Sequence, residues 1–448
     1  MSFNYKIILI IPFLTSFSIS LIAQSLKGTI TEDGSVPIPF ATIYIDKTHF
    51  GTTANLNGEF ELPLDSGNYL IKFRAIGYKI VSQEVHINKK TVYINISLPL
   101  EAYEMKEVII RPNGENLAEI IMRKAIAWAP FYLHYVEKYS SEVYLKGSMK
   151  LDNVPKILAS SIAIQAGNKT IKLYSGMTFV DESINEVNFS APDQFIQKVK
   201  SSRSTMPGFG GQPVTPMELI KESFYQPELM DCISPLNIDA LKHYKFVYQG
   251  FSEEDNLLIY KIKVIPRRKS QQLFTGTIYI VEGHWCLYSV SLTAEPFWGN
   301  ASINQVYTRI EGYAWLPMTH GFFFDASYLG IKGTYKYSAS VKYKDIKVNT
   351  SKPGPITELN SQTNTVNSNK LTNVVSNKLN GVQMRKIAKR NRSLNNTSRK
   401  DSAKSLEIKP HVKVTVEAGA VKQDSSFWNA IRPIPLTSED IKGYAKYD

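Results

Sequence analysis

Cysteine is nearly absent. Cys232 and Cys286 are the only two in 448 residues, so the chain can close at most one disulfide. Neither has metal-binding spacing. Cys232 follows a loop at Pro227 to Asp231, and Cys286 sits in a strand-like run. Export would permit them to pair, and two free buried thiols are the other open reading. Histidine is sparse as well. The seven (His49, His86, His134, His243, His284, His320, His411) are scattered, and none forms His-Glu-x-x-His. His134-Tyr135-Val136-Glu137 has the spacing of two zinc ligands, which would share a face if both sat on one helix. No third ligand is placed with them, and a chance pairing near a helix end is the plainer reading. The sequence has no Gly-x-Ser-x-Gly elbow and no phosphate-binding glycine loop. Gly208-Phe209-Gly210-Gly211 reads as a slack turn. These absences leave no catalytic, cofactor or metal set, and a non-enzymatic role is the expectation.

Long apolar runs are missing beyond the first residues. Ile7 to Ala23 follows Lys6 and is diluted by Thr15, Ser16, Ser18 and Ser20. It falls short of the about 20 apolar residues a helical span needs. It reads as a signal peptide cut after Ala23, with an uncleaved anchor as the rival. No cysteine near that point offers a lipid anchor. Export to the periplasm or the periplasmic face of the outer membrane follows.

Acidic residues are scarce in one tract. The net charge is +12, and Ser351 to Pro410 holds 12 Lys and Arg against 3 acidic residues. Asn, Ser, Thr and Lys dominate there and aromatics vanish, so a solvated, disordered basic linker is expected. Nucleic acid is not an expected partner of an exported chain. An envelope protein, a glycan or a lipid surface is.

Aromatics and alternating segments are plentiful, with 25 Tyr and 21 Phe. Ala41 to Ile45, Glu59 to Leu64, Tyr69 to Ala75 and Thr91 to Leu98 read as short strands. Asn57-Gly58 and Ser66-Gly67 are turn pairs between them. Short strands at this spacing make a sandwich. Glu107 to Arg111 reads as a connecting strand. Leu117, Ile120, Ile121, Ala125 and Ile126 have helical spacing, with Asn116 as N-cap, Glu119 three residues on and Pro130 as the stop. From Tyr139 to Val348 the pattern is strand-rich. Strands are expected at Ser140 to Leu145, Ala159 to Ile164, Thr170 to Tyr174, Tyr244 to Phe251 and Asn256 to Ile265. Others are expected at Leu273 to Val281, Leu287 to Ala294, Ala301 to Ile310, His320 to Ala326 and Thr334 to Val348. Ser202 to Glu228 is Pro- and Gly-rich, an irregular excursion with a short helix at Met217 to Phe224. Val412 to Ala418 returns as one strand. Few long helices intervene, which argues for an antiparallel sheet or half-barrel.

Two resemblances cover most of the chain outside the basic tract. Gly28-Thr29-Ile30, Pro39 to Ile43, Gly51-Thr52-Thr53, Asn57 to Phe60 and Ala75 to Tyr78 resemble the carboxypeptidase regulatory-like family, a transthyretin-like β-sandwich. That family's Asp is Asn55 here, so an amide replaces the carboxylate in the turn. The resemblance implies an accessory module without an active site. The helix from Ala118 to Ile126 and Lys138 to Tyr144 resemble the start of a Bacteroidetes envelope family of unknown function. Gly276 to Ile280, Leu287 to Leu292, Trp315 to Met318, Leu329 to Tyr337 and Ser426 to Thr437 match it too. Full-length relatives continue into a barrel-like region. This chain stops at Asp448, as a natural short form, a broken gene or an N-terminal portion.

The fold class expected is mainly β. Residues 1–23 are the signal peptide and 24–100 a seven-stranded-type β-sandwich. Residues 101–138 form a linker strand and helix, and 139–350 an antiparallel sheet or half-barrel. Residues 351–409 are the basic tract and 410–448 a C-terminal segment. The sheet faintly resembles periplasmic lipoprotein-carrier half-barrels, which would make Phe274, Ile278, Ile280, Leu287, Val290 and Leu292 lipid-facing. The same residues serve equally as a sheet core. A zinc carboxypeptidase is the other alternative. Glu253-Glu254-Asp255 reads as an exposed hairpin turn rather than a calcium site. Trp285, Trp298, Trp315 and Trp428 read as core rather than a sugar- or lipid-facing surface.

Overall fold

The computed structural model describes residues 24–48, 50–88, 90–104, 116–159, 163–166, 169–205, 217–296, 299–351, 354–355 and 411–445. The expected signal peptide, the Glu107 to Arg111 strand, the glycine turn at 208–211, Trp298 and nearly all of the basic tract lie outside these residues.

Eight short strands form the N-terminal sandwich: β1 (Ser25–Glu32), β2 (Val36–Pro37), β3 (Thr42–Ile45), β4 (Gly51–Thr53), β5 (Glu59–Pro63), β6 (Gly67–Arg74), β7 (Val81–Ile87) and β8 (Val92–Ser97). The two-residue β2 is the one beyond the expected seven. One sheet joins β1 to β2 and β5, with β8 added in parallel; the other runs β4-β3-β6-β7. Leu26, Ile30, Ile43 and Ile71 are fully buried between them, with the Phe60 and Phe73 rings edge to face at 5.6 Å. Gly58 sits at φ 73°, and a Cβ there would meet the Ile30 carbonyl oxygen at 2.3 Å, so the turn requires glycine. The Asn55 side-chain oxygen accepts from the Asn57 and Glu59 amides at 2.9 and 3.0 Å, a bond that holds the turn.

Helix α1 (Leu117–Tyr135) begins where expected, its Asn116 cap accepting from the Ala118 amide at 3.0 Å. Glu119 does not complete a capping box; it reaches Arg123 and Arg267 instead. Pro130 does not end the helix, which runs five residues further. An interior proline costs roughly 3 kcal/mol. Packing offsets it: Trp128, Phe131, Tyr132 and Tyr135 are buried, and Phe131 touches the other three rings.

Next come β9 (Val136–Asn153), helix α2 (Lys156–Ala159), the hairpin of β10 (Ala163–Ala166) and β11 (Lys169–Lys172), then β12 (Thr178–Ser190) and β13 (Gln194–Ser204). The strand expected at Ala159 to Ile164 is thus a helical turn followed by β10. Helix α3 (Met217–Lys221), the pair β14 (Glu228–Leu229) and β15 (Cys232–Ile233), and helix α4 (Ala240–His243) lead into a long meander. Its strands are β16 (Tyr244–Glu254), β17 (Leu257–Pro266), β18 (Thr275–Val281), β19 (Leu287–Ala294), β20 (Gly299–Glu311), β21 (Ala314–Tyr328) and β22 (Ile331–Val348). The chain returns as β23 (His411–Val416), helix α5 (Ser425–Ile431) and helix α6 (Ser438–Ala445).

Eleven strands form one open sheet in the order β16-β17-β18-β19-β20-β21-β22-β9-β12-β13-β23. Neighbours are antiparallel except β13 and β23, which run parallel. Among the described residues the sheet does not close into a barrel. Strands β12 and β13 escape the sequence reading because polar residues interrupt their buried positions: Asp181, Glu182, Ser183, Asn185 and Gln197 are buried alongside Phe179, Val180, Val187, Phe195 and Val199. On β12 five consecutive residues, Phe179 to Ser183, are buried, so alternation does not mark the strand.

The six residues offered as either lipid-facing or sheet core, Phe274, Ile278, Ile280, Leu287, Val290 and Leu292, are 0–1% exposed and share one continuous core with α1. In this conformation they are sheet core. Trp285, Trp315 and Trp428 are buried as well. Cys286 lies in the turn before β19 rather than in a strand; both cysteines are free and buried.

Candidate functional site

The sandwich is locked to the sheet by specific polar contacts. Arg74 lies over the Tyr288 ring, 3.4 Å from its centre, and donates to the Tyr288 and Tyr307 carbonyls at 3.0 and 2.9 Å. The Thr42 and Thr319 hydroxyls meet at 2.8 Å, buried. Lys72 bridges Asp46 at 2.9 Å and Asp255 at 2.7 Å. Burial opposes its charge, yet the hydrogen bonds to Asp255 and Asp46 outweigh that and raise its pKa. The Glu253 to Asp255 cluster is a hairpin turn, as expected, but Asp255 serves the domain junction.

The C-terminal segment threads into this junction. Thr52 donates to the Pro433 carbonyl at 2.7 Å, and Asn55 donates to the Pro435 carbonyl at 3.1 Å. An aspartate at 55 would offer no such donor. From the sheet side Lys146 donates to the same Pro435 oxygen at 2.8 Å and pairs with Asp440 at 2.5 Å. Thr437 and Asp440 cap α6 reciprocally: the Asp440 carboxylate accepts from the Thr437 amide and the Thr437 hydroxyl from the Asp440 amide.

Beside it lies a second ion pair. Arg432 grips Glu182 through Nε at 2.6 Å and Nη2 at 2.9 Å, and Tyr144 donates to the same carboxylate at 3.0 Å. Glu182 is fully buried and Arg432 nearly so. Next to Glu182 on β12, Asp181 is buried with neither carboxyl oxygen hydrogen-bonded among the described residues. Burial, then the Glu182 and Asp440 charges, push its pKa up to about 8. With Asp181 protonated, two carboxylates face two cations, and the pocket is neutral.

Gly147 makes the packing possible. It sits on β9 directly across from Asp181 on one side and Tyr337 on the other. A Cβ there would lie 2.2 Å from the Tyr337 ring and 2.7 Å from Asp181 Oδ1. Gly147→Ala is expected to lower stability by about 1–3 kcal/mol, measured by urea unfolding, because neither neighbour can retreat.

The zinc-like pair is split between two elements. His134 is in the last turn of α1, whereas Glu137 is on β9 and pairs with Lys347 at 3.1 Å. Among the described residues no three His, Cys, Asp or Glu side chains are placed to hold a metal. No described helix is long and apolar enough to cross a membrane. The sequence reading missed the Asp181, Glu182 and Asp440 cluster. Its one visible signal is Arg432 set among Ile431, Pro433, Ile434 and Pro435, a lone cation in an apolar run.

The architecture is a regulatory-like sandwich bolted to an open antiparallel sheet. A CarboxypepD_reg-like domain matches residues 26–110, and the chain belongs to the family of unknown function DUF5686, matched over residues 121–344. TonB-dependent receptor P39 of Formosa agariphila is 32% identical over 104 residues, 23% of this chain and 10% of the receptor. TonB-dependent receptor P3 of the same organism is 27% identical over 89 residues, 19% of this chain and 8% of the receptor. The matches thus span about a tenth of those curated relatives. A LolA superfamily protein from Nitrosomonas europaea aligns over 52% of this chain and 94% of its own, with 11% identity and a TM-score of 0.19. That score is too low to define a shared fold.

Proposed function

We propose that the protein is a non-enzymatic, exported component of the cell envelope that acts by binding or assembly. One observation carries this reading. The polar and charged groups best held in the molecule are spent on joining its parts: Arg432 to Glu182, Lys146 to Asp440, Arg74 to Tyr288. Such a junction fixes a sandwich, a sheet and a C-terminal segment as one block, which suits a scaffold that presents surfaces. The receptor relatives support an envelope setting. A lipid carrier would require α1 to leave the face where Ile278, Ile280 and Val290 now pack.

Fractionation of cells making the full chain tests the reading. The protein is expected in the periplasmic or outer-membrane fraction, and recovery from the cytosol would refute export. The purified protein is expected to release no product from carboxypeptidase substrates in a chelator-sensitive way. Turnover that a chelator abolishes and His134→Ala removes would instead establish a zinc hydrolase.

A further inference from the structure

The two ends of the large sheet differ in chemistry. Its antiparallel register gathers the connections after β9, β17, β19 and β21 at one end. That end carries exposed Lys156, Lys172, Arg268, Lys269 and Lys332. Between Asn153 and Val180 there are three lysines and no acidic residue. Glu295 is the acid within these four connections; Asp152 and Asp325 sit near strand ends and flank the Thr334 hydroxyl at 2.8 and 3.1 Å. Asp231 and Asp239 border the connection after β17, Asp239 paired with Lys242 at 2.9 Å, and Glu439 pairs with Lys150 at 3.8 Å. The opposite end carries Glu253, Asp255, Glu282 and Glu311 in or beside its turns, together with exposed Lys138, Lys344 and Lys347 at the ends of β9 and β22, so its charge is mixed.

The basic end also presents large apolar side chains. Ile157 is 85% exposed, Leu329 71% and Tyr174 45%. The turns that carry Ile157 and Leu329 adjoin: Asn153 donates to the Gly330 carbonyl at 2.7 Å, and Gly330 approaches Pro155. The β21–β22 hairpin turns on two residues, Leu329 at φ 50° and Gly330 at φ 80°. Such a turn favours Asn, Asp or Gly at both central positions. The β16–β17 hairpin at the opposite end obeys that rule with Asp255 and Asn256 at φ 48° and 62°. A leucine in the left-handed region, pointing into solvent, is a choice the fold does not need.

From this pairing of lysines with protruding Ile157 and Leu329, we infer that the basic end of the sheet docks on an anionic phospholipid surface. The cations meet headgroups, and the apolar tips enter the boundary beneath them. An acidic polysaccharide would match the lysines alone and gives Leu329 and Ile157 no role, so the bilayer is the partner the surface fits. The contact goes beyond the envelope reading and does not depend on which compartment cells deliver the protein to.

Vesicle flotation with the full chain tests this. Vesicles of phosphatidylglycerol and phosphatidylethanolamine are expected to bind at least about tenfold more tightly than phosphatidylcholine vesicles, with binding weakened by salt. Leu329→Asn is expected to weaken binding about tenfold without lowering the melting temperature, because Asn suits the turn better. The double variant Arg268→Gln, Lys269→Gln is expected to weaken it by a similar factor and flatten the salt dependence. Equal binding to neutral vesicles, or Leu329→Asn binding like the wild type, would overturn the inference. So would dextran sulfate competing fully for a site indifferent to Leu329→Asn, which would mark an acidic-glycan surface instead.

Discussion

Replacing Arg432 with alanine is expected to lower stability by about 3–5 kcal/mol, the usual cost of orphaning one half of a buried ion pair. Glu182 is fully buried, and Arg432 supplies two of the bonds that hold its charge. The Tyr144 hydroxyl is left to hold it alone. The same change removes one of several contacts that seat the segment that follows, so proteolysis at the C-terminal side of the junction should accelerate. Urea unfolding and limited proteolysis both read it. The double variant Arg432→Met, Glu182→Leu should recover most of the loss, because a well-packed apolar pair is often as stable as the ion pair it replaces. An unchanged midpoint in Arg432→Ala would show that the C-terminal segment does not hold the block together.

Asp181→Asn should act in the opposite direction. The native carboxyl has its pKa raised from 3.8 to about 8 by burial and by its acidic neighbours Glu182 and Asp440. The folded chain therefore holds a proton that the unfolded chain has released. The stability tied to this group is complete below about pH 4 and declines as pH rises toward 8. Asparagine keeps the shape and carries no charge to titrate. The variant should gain on the order of 3 kcal/mol over the wild type near pH 8.5, and less near pH 5. Urea midpoints at the two pH values measure the gap. A gap that does not widen with pH would mean that Asp181 folds ionised.

The two predictions concern residues that sequence reading passed over, and the reason is physical. The sandwich was legible because each device is local: Asn57-Gly58 for the turn, alternation along β6, and Asn55 bonding two and four residues on. The meander from β16 to β22 was legible for the same reason, each strand pairing with its neighbour across a short turn. The Phe274 to Leu292 residues could be placed on one buried face, though not beneath α1. The junction was not legible, because Arg432 meets its partner Glu182 from 250 positions away. Both belong to segments whose pattern looks like loop: β12 by its buried acids, the C-terminal segment by its prolines. Pro130 misled for a related reason. A local stop signal was overruled by aromatic packing that no window of sequence contains.

The parallel strand β23 has a consequence for the order of events during synthesis. β13 gains its second neighbour only after more than 200 further residues have been made, and Glu182 gains Arg432 later still. Until then Glu182 lacks its cation and β13, rather than β23, is the edge of the sheet. The block therefore cannot set early. A chain cut short of Arg432 is expected to lack the cation that holds Glu182 and to be cleaved faster in limited proteolysis.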